Sequence, residues 1–271
     1  MNRNFWHKHG HTVIIYVFLA ALMVFVSIFN KDFFTLGNFK NLLRSSFPLL
    51  MAALGQTLII LTGGIDLSLG GIVALCNVVC VMSMNPDSAW GFVPALGAAA
   101  AVGLACGAVN GVLVTKGRLA PIIVTIATTA VFDGMALLLM PNPGGSVHKA
   151  FAKFLTRGYS GAVPFLLFIL ILCLVRSLAN STPYGKALRA IGGSENAAYS
   201  TGIRVGKIKF CAYCLAGLLC AVAGIFLSAQ MNSADATIGK NYAMNAITAT
   251  VVGGTAMTGA VGDPLGTIRS E

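Results

Sequence analysis

Acidic side chains are scarce in this sequence. Eight Asp and Glu stand against eighteen Lys and Arg in 271 residues, only 10% of the chain is charged, and 56% is hydrophobic at a mean hydropathy of +0.82. A soluble domain carries more charge than that, so the composition puts the chain in a bilayer. The net charge of +10 belongs to loops between apolar runs rather than to one face of a soluble nucleic-acid binder, and no nucleic-acid partner is expected. No G-x-x-x-x-G-K-[ST] stretch occurs, so the chain has no nucleotide loop of that kind. No pairing such as His with Glu or Ser with His converges within the apolar segments, which argues against an intramembrane enzyme.

Disulfide and metal patterns are also missing. The seven cysteines, at 76, 80, 106, 173, 211, 214 and 220, all fall in apolar segments rather than outer loops, and they read as small buried thiols. Cys211-x-x-Cys214 has no second pair and no neighbouring His or carboxylate to complete a metal site. His7-Lys8-His9-Gly10-His11 has a spacing that suits a metal, but a basic tail before a first span is the plainer reading. No metal and no cofactor is assigned.

Long apolar runs fill the space that charge leaves. Thr12 to Phe29 gives about 27 Å of helix, nearly enough to span the hydrocarbon. Arg3 and Lys8 precede it, but the stretch is long for a signal peptide and no small-x-small cleavage site follows, so it reads as a retained anchor. Further runs lie at about 47–63, 68–85, 91–114, 119–140, 162–180, 207–229 and 243–258. The expectation is an all-α polytopic transmembrane bundle of about eight spans, two of them short. With the N-terminus in the cytoplasm, strict alternation puts Lys116, Arg118 and the loop from Arg176 to Lys209 inside. That loop carries Lys186, Arg189, Arg204, Lys207 and Lys209 against the single acid Glu195, as the positive-inside rule requires. The segments 31–44 and 149–157 are also basic yet fall outside on this count, a discrepancy that one miscounted hairpin would produce.

One of these runs is interrupted. Thr62-Gly63-Gly64-Ile65-Asp66-Leu67-Ser68-Leu69-Gly70-Gly71 sets a carboxylate and two hydroxyls among four glycines, and it reads as a broken membrane helix. Unwound backbone at that depth persists only where protein or a water-filled path satisfies it, and a charged group there costs several kcal/mol. Asp66 and Ser68 are therefore candidates for a substrate path. In the alternative reading, the Asp66 carboxylate accepts hydrogen bonds from amides freed by the break, which Gly63, Gly64, Gly70 and Gly71 permit.

Asn110 and Asp133 are polar residues in otherwise apolar spans and join the path candidates. Gly103, Gly107 and Gly111 recur every fourth residue, extended by Ala99, in a small-residue stripe that reads as helix packing rather than a ligand site. In the loop after the sixth span, Thr182 can cap a helix that starts at Pro183 and stops at Gly192, and Ser194 can cap another running to Gly202. A plain solvated connector does without such caps. A rigid hairpin presenting Arg189, Gly193, Glu195 and Asn196 suits docking to a soluble partner.

Three stretches together resemble the ribose-type permease family of bacterial ABC importers. They are Gly63-Gly64-Ile65-Asp66-Leu67-Ser68-Leu69-Gly70-Gly71-Ile72, the loop from Tyr184 to Ala198 ending at Gly202-Ile203, and Val252-Gly253-Gly254-Thr255 with Gly262 and Gly266. The first two in combination are specific, and the resemblance covers nearly the whole chain. It implies a dimerising permease in the bacterial inner membrane that receives sugar from a periplasmic binding protein. It also implies that cytoplasmic ATPase subunits drive transport by docking on the coupling loop, within 181–206. Two departures stand out. Members of that family usually carry an arginine before the glycine of the fifth span where this chain has Asp133, so specificity is not read through that position. Members also continue past Gly262 and Gly266 into further membrane helices, whereas this chain stops at Arg269-Ser270-Glu271, which implies a C-terminally incomplete permease domain.

The expected function is the permease subunit of an ABC importer for a simple, ribose-like sugar, acting without chemistry on its cargo. Two alternatives stay open: a branched-chain amino-acid permease of the same superfamily, and an ion-coupled secondary transporter with Asp66 as its proton or sodium site.

Overall fold

A computed structural model of the chain describes residue 17, residues 20–88 and residues 90–265, the side chains of 159–161 excepted. Arg3, Lys8, the His7–His11 cluster, the start of the first span, Gly266 and the end at Arg269–Glu271 lie outside the described residues. Among the described residues the regular structure is helical: α1 (Ala20–Phe29), α2 (Leu36–Ile60), α3 (Leu69–Met82), α4 (Phe92–Thr115), α5 (Pro121–Leu139), α6 (Lys149–Ser181), α7 (Pro183–Gly193), α8 (Glu195–Ser200), α9 (Val205–Met231) and α10 (Tyr242–Val252). The one departure is an isolated antiparallel bridge between Gly144 and Ala234.

Of the eight segments read as spans, five contain helices long and apolar enough to cross a membrane: α2, α4, α5, the Ala162–Ser181 part of α6, and α9. The other three, α1, α3 and α10, are shorter apolar helices. The two basic segments that fitted the topology poorly are not loops throughout. Residues 36–44 are the first turns of α2, and 149–157 are the first turns of α6, so charged turns extend these helices beyond their apolar stretches.

The chain divides into two units, Met1–Ser45 and Ser46–Glu271. Within the first, Thr35 receives the Asn38 amide on its hydroxyl at 3.3 Å, and the Asn38 side chain donates to the Phe33 carbonyl at 2.8 Å, fixing the start of α2. In the second, α3 is apolar all round and buried on nearly every face, the state such a helix requires. It packs on α9, α4 and α5. A buried polar clasp joins it to α9: the Asn77 amide donates to the Ser228 hydroxyl at 2.8 Å, and its oxygen accepts from the Asp235 N–H at 3.0 Å.

The glycine stripe of α4 faces α9. A Cβ on Gly103 would stand 2.4 Å from the Gly217 carbonyl oxygen, and one on Gly107 would stand 2.3 Å from that of Tyr213. Lipid offers little hydrophobic drive between helices, so this backbone approach supplies the packing. Gly70 and Gly71 do not loosen the broken helix as expected, since both are helical residues in the first turn of α3. Gly70 instead admits the Gly239 backbone, with 2.3 Å between its would-be Cβ and the Gly239 oxygen. Not every thiol is buried, either: Cys76, Cys80, Cys106 and Cys220 are, but Cys173 and Cys211 lie on exposed helix faces.

Candidate substrate path and coupling junction

The break begins where α2 ends in a left-handed residue. Gly63 has φ +78°, its N–H donates to the Ile60 carbonyl at 2.8 Å, and the Gly64 N–H reaches back to Ile59 at 3.2 Å. This paired return is a Schellman ending, which favours glycine at the left-handed position. Ile65 to Leu67 then run without helical bonding until Ser68 opens α3.

Side chains satisfy that open backbone. One Asp66 carboxylate oxygen accepts from the Ser68 N–H at 2.7 Å and from the Ser68 hydroxyl at 2.6 Å, so the acid caps the helix that follows it. The Asn110 amide on α4 donates to the Ser68 hydroxyl at 2.7 Å. From α2, the Gln56 amide, turned so that both ends find partners, donates to the Asp66 carbonyl at 3.0 Å and accepts from the Asp66 N–H at 3.3 Å. Asp66, Ser68, Asn110 and Gln56 are all essentially inaccessible to solvent. Three of the four path candidates thus converge on one buried cluster. Asp133 stands apart on α5, half-buried, its carboxylate 3.0 Å from where a Cβ on Gly71 would lie, one turn along α3.

The capped hairpin forms as the local sequence dictates. Thr182 accepts the Gly185 N–H at 3.2 Å at the head of α7, with Pro183 in the first position, and Ser194 accepts the Ala197 N–H at 3.3 Å at the head of α8. Ile191, Ala198 and Val205 form a small core beneath it, joined by Ile203 and Ile208. Tyr184 donates to the Ile208 carbonyl at 3.3 Å, and burial pushes its phenol well above the ordinary range.

The four docking candidates separate into two kinds. Arg189 turns inward to the Asn180 side chain, which itself donates to Asp263 at 3.2 Å. Gly193 and Asn196 are exposed. Glu195 is exposed too and accepts from Lys209 at 2.5 Å. Sequence reasoning passed over Tyr199, which is 75% exposed on the same hairpin.

The hairpin, the end of α2 and the turn at Gly259–Ala260 meet in space. Gly192, at the end of α7, fits beneath the last turn of α2: a Cβ there would stand 2.1 Å from the Leu61 carbonyl oxygen and 2.4 Å from the Ala260 nitrogen. Ala260 donates to that same Leu61 carbonyl at 3.3 Å. Gly259, at φ +88°, closes the contact, its would-be Cβ 3.0 Å from the Gly63 nitrogen and 2.9 Å from the Gly192 Cα. Gly192, Leu61, Gly259 and Ala260 thus pack backbone against backbone at the end of α2.

Beside the break, the sequence reading missed Tyr213 and Gln56. Each is a polar-tipped side chain in an apolar run, the same signal that marked Asn110, and each lies beside the break.

A multi-pass helical membrane bundle with an interrupted helix and a capped hairpin wedged against it has the make-up of a transport protein of the permease class. Residues 38–269 match the family described as the permease component of the branched-chain amino acid transport system, and the chain belongs to that family. It is 38% identical over 259 residues to the ribose import permease protein RbsC of Bacillus subtilis, covering 92% of this chain and 78% of that one. It is 34% identical over 258 residues to RbsC of Escherichia coli K12, covering 92% and 79%. To the fructose import permease protein FruF of Bifidobacterium longum it is 32% identical over 261 residues, covering 90% and 72%. No solved structure matches it.

Proposed function

We propose that this chain is the membrane-spanning permease subunit of a bacterial ABC importer for a simple, ribose-like sugar. The observation that carries this reading is the likeness, along nine-tenths of the chain, to permeases named for ribose and fructose import. The chain is a transport component rather than an enzyme, with ATP hydrolysis on a separate ATPase subunit. It works in the inner membrane with its N-terminus in the cytoplasm, as one of two permease subunits, and takes its cargo from a periplasmic binding protein. The cytoplasmic ATPase engages the hairpin at Gly193, Glu195 and Asn196. Arg189 serves from the inner side by holding α7 to α6. The contact of Gly192 with Leu61 carries the stroke to the break, which Asp66, Ser68 and Asn110 keep in shape beside the path, with Asp133 one turn further along.

The family description favours a second reading, branched-chain amino-acid import. One experiment separates the two. Membrane vesicles containing this chain, its ATPase and its binding protein should accumulate labelled pentose or hexose only when ATP is supplied. Uptake of leucine instead would select the second reading, and uptake that follows an ion gradient without ATP would sink both.

A further inference from the structure

Residues 232–241 leave α9 without helical structure and turn back along α3. The Asp235 N–H meets the Asn77 oxygen at 3.0 Å, and Gly239 then packs its backbone on Gly70, roughly 10 Å of α3 nearer the break. At that level Lys240 and Asn241 are exposed. The next residue of α3, Gly71, faces Asp133 of α5, whose carboxylate feels the Lys240 charge. Asp133 stands about 18 Å from the start of α5 and about 9 Å from its end. A lysine, an aspartate and non-helical backbone thus share one level inside an apolar bundle.

The wall continues on α10. This helix holds to the bundle by one face, with Ala243 near Gly70 and the Thr250 hydroxyl donating to the Ala53 carbonyl of α2 at 3.2 Å. The opposite face carries Asn241, Asn245 and Thr248 at helical spacing, all exposed, together with Met244 and Val252. Among the described residues neither asparagine amide has a hydrogen-bond partner, and Lys240 has no ion pair. An ammonium or a bare amide turned to lipid costs several kcal/mol, and non-helical backbone at this depth persists only beside protein or a water-filled cavity. The Asp133 carboxylate accepts hydrogen bonds, Lys240 donates them, and each asparagine does both. Sugar hydroxyls need that set, and Met244 offers apolar surface to the C–H face of a ring.

We infer that Lys240, Asn241 and Asn245 line a water-filled passage on the side of the break away from the hairpin and, with Asp133, bind the transported sugar there. The inference rests on the proposed sugar-import function. The test uses the full chain assembled with its ATPase and binding protein. Labelled monosaccharides are first screened for ATP-dependent uptake in membrane vesicles, and the sugar that enters is used throughout. Cysteine-free versions carrying Asn241→Cys, Thr248→Cys or, for comparison, Leu138→Cys are then placed in lipid nanodiscs, which open both faces to reagent. Leu138 is 84% exposed on the apolar end of α5. A charged methanethiosulfonate reacts with the thiolate and so needs water. It should modify the first two cysteines and spare Leu138→Cys, and the sugar should slow both reactions. Asn245→Ala in the otherwise native chain should raise the KM for uptake roughly five- to tenfold, the value of one hydrogen bond, at unchanged membrane abundance. If Asn241→Cys and Thr248→Cys are as silent as Leu138→Cys, the face belongs to lipid or to a second copy and the inference falls. Reaction that the transported sugar does not slow, or an Asn245→Ala KM equal to the parent's, overturns the sugar assignment while the import function stands. Absence of uptake for every sugar overturns the import function itself, and the sugar site falls with it.

Discussion

Gly192 lies so close beneath Leu61 that a methyl group on it would stand 2.1 Å from the Leu61 carbonyl oxygen, with backbone rather than a flexible side chain as the obstacle. The hairpin and the broken helix therefore cannot be separated by a side chain without displacing one of them. Gly192→Val should cost about 1–3 kcal/mol through this overlap and abolish uptake. Gly193→Val is the control for stability alone, since Gly193 belongs to the proposed docking surface, and the nearest atom to a Cβ there is the Ala260 methyl at an ordinary 3.7 Å. Thermal unfolding in detergent, read beside uptake, checks the pair; equal stability for the two variants would remove the junction from the mechanism.

Orientation is tested at Ser194, which is exposed at the turn between α7 and α8. In a cysteine-free background, necessary because Cys173 and Cys211 lie on exposed faces, Ser194→Cys should resist impermeant thiol reagents on whole cells and react once the membrane is opened. Ready labelling from outside would invert the topology.

Glu195 tests docking. Its carboxylate side chain is 57% exposed while that of Lys209 is 15% exposed, so losing this half-exposed pair should cost roughly 1 kcal/mol. Glu195→Arg should leave the permease inserted at normal abundance while ATPase co-purification and uptake disappear. Retention of the ATPase by this variant would move the docking surface elsewhere.

Asp66 offers a pair of substitutions with opposite expectations. Asp66→Asn keeps an oxygen for the Ser68 N–H and hydroxyl and should accumulate nearly as the parent does. Asp66→Leu strands both donors in a buried site, a cost of about 1–3 kcal/mol for each unsatisfied group, and should lower membrane abundance. If both variants accumulate normally and lose uptake, the carboxylate acts on the cargo and not on the backbone.

The sequence was most legible where its signals were local. Thr182, Pro183 and Ser194 specify the hairpin caps within three residues of themselves, and the Gly63 ending of α2 needs only its own turn. Asp66 also finds its main partner two residues away, so its capping geometry follows from the motif. What could not be read was long-range. Nothing near Gly192 in the chain announces Leu61 or Ala260, and the Gln56 amide meets Asp66 only because the chain turns back on itself after α2. Gly70 was misread for the same reason: its need for a missing side chain comes from Gly239, far along the chain, and not from backbone freedom. Residues 36–44 and 149–157 were misread because charge was taken as the end of a helix, when it marks only the end of the apolar part.

The Gln56 amide holds both polar groups of the Asp66 peptide, and it does so from the helix that precedes the break. A flexible joint must leave its peptide groups free to exchange partners as its torsions change. Here α2 pins the peptide groups, while Ser68 and, through its hydroxyl, α4 hold the Asp66 side chain. The interruption is thus a bracket rather than a hinge. A push arriving through Gly192 would tilt α2 and the start of α3 as one angled piece, so the swing that opens the path should have its pivots outside residues 61–68.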